Sequence, residues 1–215
     1  MSDYQVVISR YNEDIEWIKT FDDYVVFNKG DTVGISEDIL NRTFYLPNVG
    51  KDLDVIFRYI TTHYYSLPSK VAFCQGRFDD HYDLSVSEFK HKLLSLDNGY
   101  STLDYRYDMC VSKHRNFPTF NIDYWGTKTD NYSVDYNLQS WWKEVSGEDY
   151  VQNSVVFWGC IFCVERSLIH RRPLSFYQKL HSYFTKHVNP VETHFVERSW
   201  ANIFQIGTPV DIYIN

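Results

Sequence analysis

Asp79, Asp80, His81 and Asp83 crowd three carboxylates and an imidazole into one short stretch just after an apolar run. Like charges packed that closely repel unless they share a cation. Carboxylate oxygens with one ring nitrogen suit Mn²⁺ or Mg²⁺ better than zinc. In an extended stretch Asp79 and His81 point to the same side, so they form the natural ligand pair. Asp80 and Asp83 converge on them only through a turn. The competing reading is a solvated acidic loop.

A second set of groups sits where apolar runs stop. Ser9-Arg10-Tyr11-Asn12-Glu13 follows the first run, and Lys29-Gly30 follows the second. Tyr11 can stack on a base, and Asn12 either positions that base or caps the next helix. Lys29 is either a diphosphate cation or a solvated lysine in a strand-exit turn. Asn48-Val49-Gly50 leads into a periodic segment, where Gly50 permits close backbone approach and a helix start offers N–H donors to an anion. Near the end of the sequence, Glu192, His194 and Glu197 lie at and beyond the start of a helical pattern. Helical spacing puts Glu197 beside the apolar stripe, within reach of a cleft, and turns His194 away from it, as a metal or phosphate ligand or a plain surface histidine. Arg172, in the Arg171-Arg172 pair, is a solvated cation or a phosphate contact.

These residues need a scaffold that gathers strand ends on one edge. The spacing predicts strands over 4–9, 24–27, 70–74 and 155–164, with an edge strand over 209–214. It predicts helices over 13–21, from 51 with Leu53, Ile56, Phe57, Ile60 and Tyr64 on one stripe, and behind the Ser85-Val86-Ser87-Glu88 capping box. Further helices are predicted over 137–145, from Pro173 and over 191–204. The middle, 99–136, reads as short strands and loops. Strands alternating with helices over the first 95 residues imply an α/β domain with a mostly parallel, mixed sheet flanked by helices.

The 215 residues suffice for one well-buried domain, spanning 1–215, which can itself be one domain of a longer protein. Hydrophobic residues make up 44% and charged residues 23%, which rules out wholesale disorder. A net charge of −7 argues against nucleic acid as the partner. No run of 18 apolar residues predicts a membrane span, and the N-terminus lacks a signal-peptide pattern, so a cytoplasmic location is expected. The four cysteines imply a reducing compartment without a disulfide frame, and Cys160 and Cys163 read as positions on a buried strand rather than half a zinc site. No Walker loop, GxGxxG or GxSxG occurs, which excludes P-loop kinase, dinucleotide dehydrogenase and α/β-hydrolase chemistry.

The ordered segments Val6-Val7-Ile8-Ser9-Arg10-Tyr11-Asn12-Glu13-Asp14, Phe27-Asn28-Lys29-Gly30, Leu46-Pro47-Asn48-Val49-Gly50, Phe73-Cys74-Gln75-Gly76, Gly159-Cys160-Ile161-Phe162, Arg171-Arg172-Pro173-Leu174-Ser175-Phe176-Tyr177 and Glu197-Arg198-Ser199-Trp200 resemble the GT-A type nucleotide-sugar glycosyltransferases. The likeness spans nearly the whole chain and is nearest to the chlorella-virus glycosyltransferase domains that act in major capsid protein glycosylation, which would place the protein in the host cytoplasm. It implies a GT-A fold, a UDP-sugar donor carrying glucose or a deoxyhexose such as rhamnose, a glycan or glycoprotein acceptor, and Mn²⁺ or Mg²⁺ on an Asp-x-Asp-type motif. Ser9, Arg10, Tyr11 and Asn12 then become nucleotide contacts, and Lys29 a diphosphate or nucleotide contact, with Arg172 or His194 adding positive charge. Asp79 and His81, with Asp80 or Asp83, become the metal site, although Asp79-Asp80-His81 departs from a strict Asp-x-Asp. Glu197 and Glu192 become candidates for the acceptor base or for gripping donor hydroxyls. Two rival expectations are a metal-dependent phosphoesterase using the same acidic cluster and a non-catalytic carbohydrate-binding module built on the abundant aromatics.

Overall fold

The apolar, β-branched run after the N-terminus forms β1 (Tyr4–Arg10), whose residues from Val6 onward are buried on both faces. Such a strand belongs in the middle of a parallel sheet. β2 (Tyr24–Asn28) lies along one side of it and β4 (Lys70–Gln75) along the other, both parallel. A short strand absent from the sequence-based expectation, β3 (Thr43–Tyr45), continues the sheet outward from β2. Beyond β4 the direction reverses: β8 (Phe162–Glu165) runs antiparallel to β4, and β5 (Tyr100–Thr102) antiparallel to β8. The six strands are ordered β3-β2-β1-β4-β8-β5, a mixed sheet in one α/β domain. A separate ribbon pairs β6 (Tyr105–Arg106) with β7 (Val156–Phe157). These descriptions come from a computed structural model that describes residues 3–80, 83–96, 99–102, 105–106, 136–151, 156–157 and 159–206. The expected strand over 209–214, and His81, lie outside the described residues.

Alternation along the strands builds two cores. Val7, Phe27, Phe73 and Phe162 face one side, under α2 (Lys51–His63), α4 (Leu138–Ser146) and α6 (Leu174–Ser182). Val6, Ile8, Val26 and Cys74 face the other, under a 3-10 turn (Glu16–Thr20), α1 (Glu37–Leu40) and α3 (Val86–Leu94). Cys163 lies on β8 and joins the second core, whereas Cys160, expected on the same strand, precedes β8 and joins the first. The capping box is formed, with Ser85 accepting from the Glu88 amide.

Three elements depart from expectation for visible reasons. The predicted helix over 13–21 shrinks to the 3-10 turn because Asn12 does not cap it; its Oδ1 accepts from the Asp31 amide instead. The predicted strand over 155–164 is divided between β7 and β8, with Gly159 at φ +79° between them. The last predicted helix, over 191–204, breaks into α7 (Glu192–Glu197) and α8 (Trp200–Ile203). Tyr150 Oη donates to the Arg198 carbonyl, and Ser199 Oγ donates to the Phe195 carbonyl, so both carbonyls leave the helical ladder. The remaining short helix is α5 (Arg166–Ile169).

Phe162 ties the antiparallel half to its cover, packing on Phe73, Tyr100, Trp200 and Phe204 with ring centroids 4.8–5.7 Å apart. Phe162→Ala is expected to cost about 3–5 kcal/mol, read as a lowered urea midpoint with little change in slope.

Candidate functional site

The chain passes from β1 to β2 to β3 along one face of the sheet, then crosses by α2 on the other face to reach β4. The two directions of winding part between β1 and β4. In open α/β sheets that is where a crevice opens outside the carboxyl ends of the strands. A cavity of about 340 Å³ lies there. Its walls are Ser9, Arg10 and Tyr11 after β1, Lys29 after β2, Gln75, Arg77 and Asp80 after β4, and Asn48, Lys51 and Asp52 at the start of α2, with Glu13 beside them.

Two glycines make the cleft possible. A Cβ on Gly30 would lie 1.6 Å from the Tyr11 carbonyl oxygen, so only glycine lets the exits of β1 and β2 close on each other. Gly50 has φ +65°, and a Cβ there would lie 2.2 Å from the Phe184 carbonyl oxygen. Lys51 follows with φ +48°, an unusual conformation for a residue with a side chain. The α2 start is therefore a strained turn pressed onto the residues after α6, with the Gly50 amide donating to the His187 carbonyl at 2.7 Å.

The basic groups divide by burial. Arg10 is a buried brace: its guanidinium donates to Asn28 Oδ1 and to the carbonyls of Glu13, Asp31 and Val33. Lys29 is buried too, its Nζ donating to the carbonyls of Val49 and Lys51 at 2.5 Å each and lying 3.4 Å from Asp54 Oδ2. Burial lowers its pKa, with Asp54 and Asp52 opposing that shift. Both residues therefore shape the cleft more than they offer charge to it. Lys51 and Arg77 are the accessible cations.

The acidic cluster divides as well. Asp80 lines the cleft and pairs with Arg77 at 2.9 Å; Asp79 is 3.6 Å from the same guanidinium but does not line it. Asp83 is exposed and outside the lining, and His81 lies outside the described residues. Among the described residues no group of three or more His, Cys, Asp or Glu stands ready to hold a metal.

Sequence reasoning missed Asp52. It is half-buried by surface exposure, yet its carboxyl sits deep enough among protein atoms that burial raises its pKa; the hydrogen bond with Ser9 and the charge of Lys29 pull the other way. The signal available in the sequence was its place in the first turn of the helix that Gly50 opens.

The remaining candidates fall elsewhere. Asn12 fastens the β2 exit, as above. Arg172 is buried under a bidentate pair with Glu148, 2.7 and 2.8 Å, between the rings of Trp142 and Phe176, and it is not among the residues lining the cleft. Glu192 is buried and accepts a hydrogen bond from Tyr136 Oη. His194 Nδ1 lies 3.6 Å from Glu197. Glu197 does not line the cleft either; the Cys160 thiol, pushed up by burial, feels the charges of Asp52, Glu197, Lys51 and Lys29. β8 runs antiparallel, so its start, beside Cys160, opens on the same edge as the β4 exit.

A family model described as "Protein of unknown function (DUF3431)" matches residues 6–211, and the chain belongs to that family. No curated protein and no solved structure matches the chain.

A raised carboxylate pKa means that the folded state favours the protonated form, so Asp52 supports stability at acid pH and costs stability as the pH climbs through its folded-state pKa. Asp52→Asn is expected to gain thermal stability over the wild type at about pH 7.5 and to lose that gain at about pH 3.5, measured as paired melting midpoints. Gly50→Ala is expected to lose at least about 2 kcal/mol in a urea titration, since it adds left-handed strain to a backbone clash.

Proposed function

We propose that this DUF3431 protein is a UDP-sugar-dependent glycosyltransferase of GT-A type, with the cleft between β1 and β4 as its donor site. What carries the reading is the position of that cleft: at the winding switch of the parallel strands, rimmed by a half-exposed tyrosine and opened onto the first turn of a 13-residue helix. The mixed sheet with helices on both faces accords with the likeness in the sequence.

Tyr11, 50% exposed, offers a flat face on which a uracil ring can stack. Its backbone amide donates to Glu13 Oε2 at 2.7 Å, which fixes the loop that carries the ring. Asp52 and Ser9, at the floor, are placed to meet the polar edge of the base or ribose. The diphosphate then lies toward Lys51 and the start of α2, where amide N–H groups and the positive end of the helix favour an anion.

The Asp80–Arg77 pair suits a change of partners. An exposed ion pair is worth about 0–1 kcal/mol, so little is lost when Arg77 turns to the leaving phosphate and Asp80 to a cation. A bound Mn²⁺ or Mg²⁺ would supply Lewis-acid charge at the diphosphate as the sugar–oxygen bond breaks. Bond cleavage leaves an oxocarbenium-like sugar and an anion. The protein's own cations therefore act on the leaving group, and an acceptor hydroxyl must lose a proton. Glu197, whose charge reaches the Cys160 thiol just before β8, is our candidate for that proton or for a donor hydroxyl. Glu192, buried against Tyr136, serves the packing of α7 in this reading.

Calorimetric titration of UDP with Mn²⁺ is expected to show binding that EDTA weakens and that GDP and CMP do not match. Tyr11→Ala is expected to weaken UDP about tenfold or more, the range of a lost base–aromatic stack. Glycan binding that persists in EDTA, with no response to UDP, would replace this reading with a carbohydrate-binding module.

A further inference from the structure

The cleft's phosphate-facing wall is not held by the residues that form it. Asn48, Lys51 and Asp52 reach the cavity from a turn with two successive left-handed residues, Gly50 and Lys51. Such a conformation persists only where its surroundings over-determine it. The restraint from below is Lys29, whose ammonium is shared between the carbonyls on either side of Gly50. Those carbonyls alone would be a poor reason to bury a charge. The charge is answered by Asp54, fully buried one turn into α2.

Asp54 is also the meeting point of three elements. Its Oδ2 faces Lys29 from the end of β2, while Oδ1 accepts from Arg58 Nη2 on α2 at 2.9 Å and from His181 Nε2 on α6 at 2.8 Å. Burial alone would raise its pKa; His181, Lys29 and Arg58 outweigh that and hold it below the ordinary carboxylate value, so it is ionised. Arg58 and His181 hold the carboxylate through Oδ1, and Oδ2 faces the ammonium as an ion pair rather than a hydrogen bond.

We propose that Asp54 is the positioning residue of the cleft: through Lys29 it sets the turn that presents Asn48, Lys51 and Asp52 to the ligand, without touching the ligand itself. The inference builds on the reading of the cleft as the donor site, but its first test does not need a ligand. The turn is sealed by two amide hydrogen bonds, Gly50 to the His187 carbonyl and Asp54 to the Gly50 carbonyl. Hydrogen exchange reads both directly.

In Asp54→Asn, an isosteric change that removes the charge, exchange at the Gly50 and Asp54 amides is expected to quicken about tenfold or more, with the later turns of α2 unchanged. Lys29→Met should reproduce the pattern, also serving if Asp54→Asn does not fold. The double variant should be no worse than Lys29→Met alone, because both remove one linked device. Arg58→Met, which leaves the His181 bond to the carboxylate and the Lys29 ion pair in place, should quicken both amides clearly less than Asp54→Asn. UDP affinity, titrated with Mn²⁺, should fall about tenfold in Asp54→Asn. Uniformly faster exchange along α2, additive single effects, or an equal response to Arg58→Met would overturn the inference and leave Asp54 a general stability residue. Wild-type protein that ignores UDP would sink the nucleotide-sugar reading alone; the exchange pattern would still decide the role of Asp54.

Discussion

A buried ammonium must be answered on every side, and the answer given to Lys29 organises the ligand-facing edge of this protein. Two carbonyls from one turn and a carboxylate from the helix behind it converge on a single side chain at the end of β2. Removing water from such a group is costly, and the cost is offset only when the geometry is good. The strand, the turn and the helix are therefore held in one arrangement. The cleft inherits its shape from that arrangement, and the side chains exposed to it are left free to meet a ligand.

The sheet supplies the second condition. Parallel strands deliver their carboxyl ends to one edge, and the change of winding between β1 and β4 keeps connections from covering it. The antiparallel β8 then brings the start of its own strand to the same edge. Burial sorts the charges across it: Arg10 and Lys29 support, whereas Lys51, Arg77 and Asp80 stay within reach of solvent.

Much of this frame was legible in the residues. The apolar runs of β1, β2 and β4 and the stripe of Leu53, Ile56, Phe57 and Ile60 announce buried strands and an amphipathic helix, because local periodicity decides them. Ser9, Arg10, Tyr11 and Lys29 were rightly placed at strand ends facing one cleft. What each does there was not legible. Lys29 takes its partners from residues 49, 51 and 54, and no local pattern tells a braced lysine from a free one. β3 escaped notice because Phe44 and Tyr45 are exposed and its few residues show no alternation. The break between α7 and α8 depends on Tyr150, far away in the chain. Arg172 looked like a surface cation and proved buried, since Glu148 and two aromatic rings come to it from other helices.

The insertion of β8 between β4 and β5 has a consequence for how the chain acquires its structure. Tyr100–Thr102 is synthesised well before Phe162–Glu165, yet its only described partner in the sheet is that later strand. On the ribosome, β1 to β4 can associate as they emerge, while β5 must wait, its backbone groups bonded to water, until more than fifty further residues have followed. Closing so long a loop is entropically expensive, and pairings of that sequence separation are slow to form. The half of the sheet that carries the cleft between β1 and β4 can thus take shape first, and the antiparallel edge arrives with the last strand to dock.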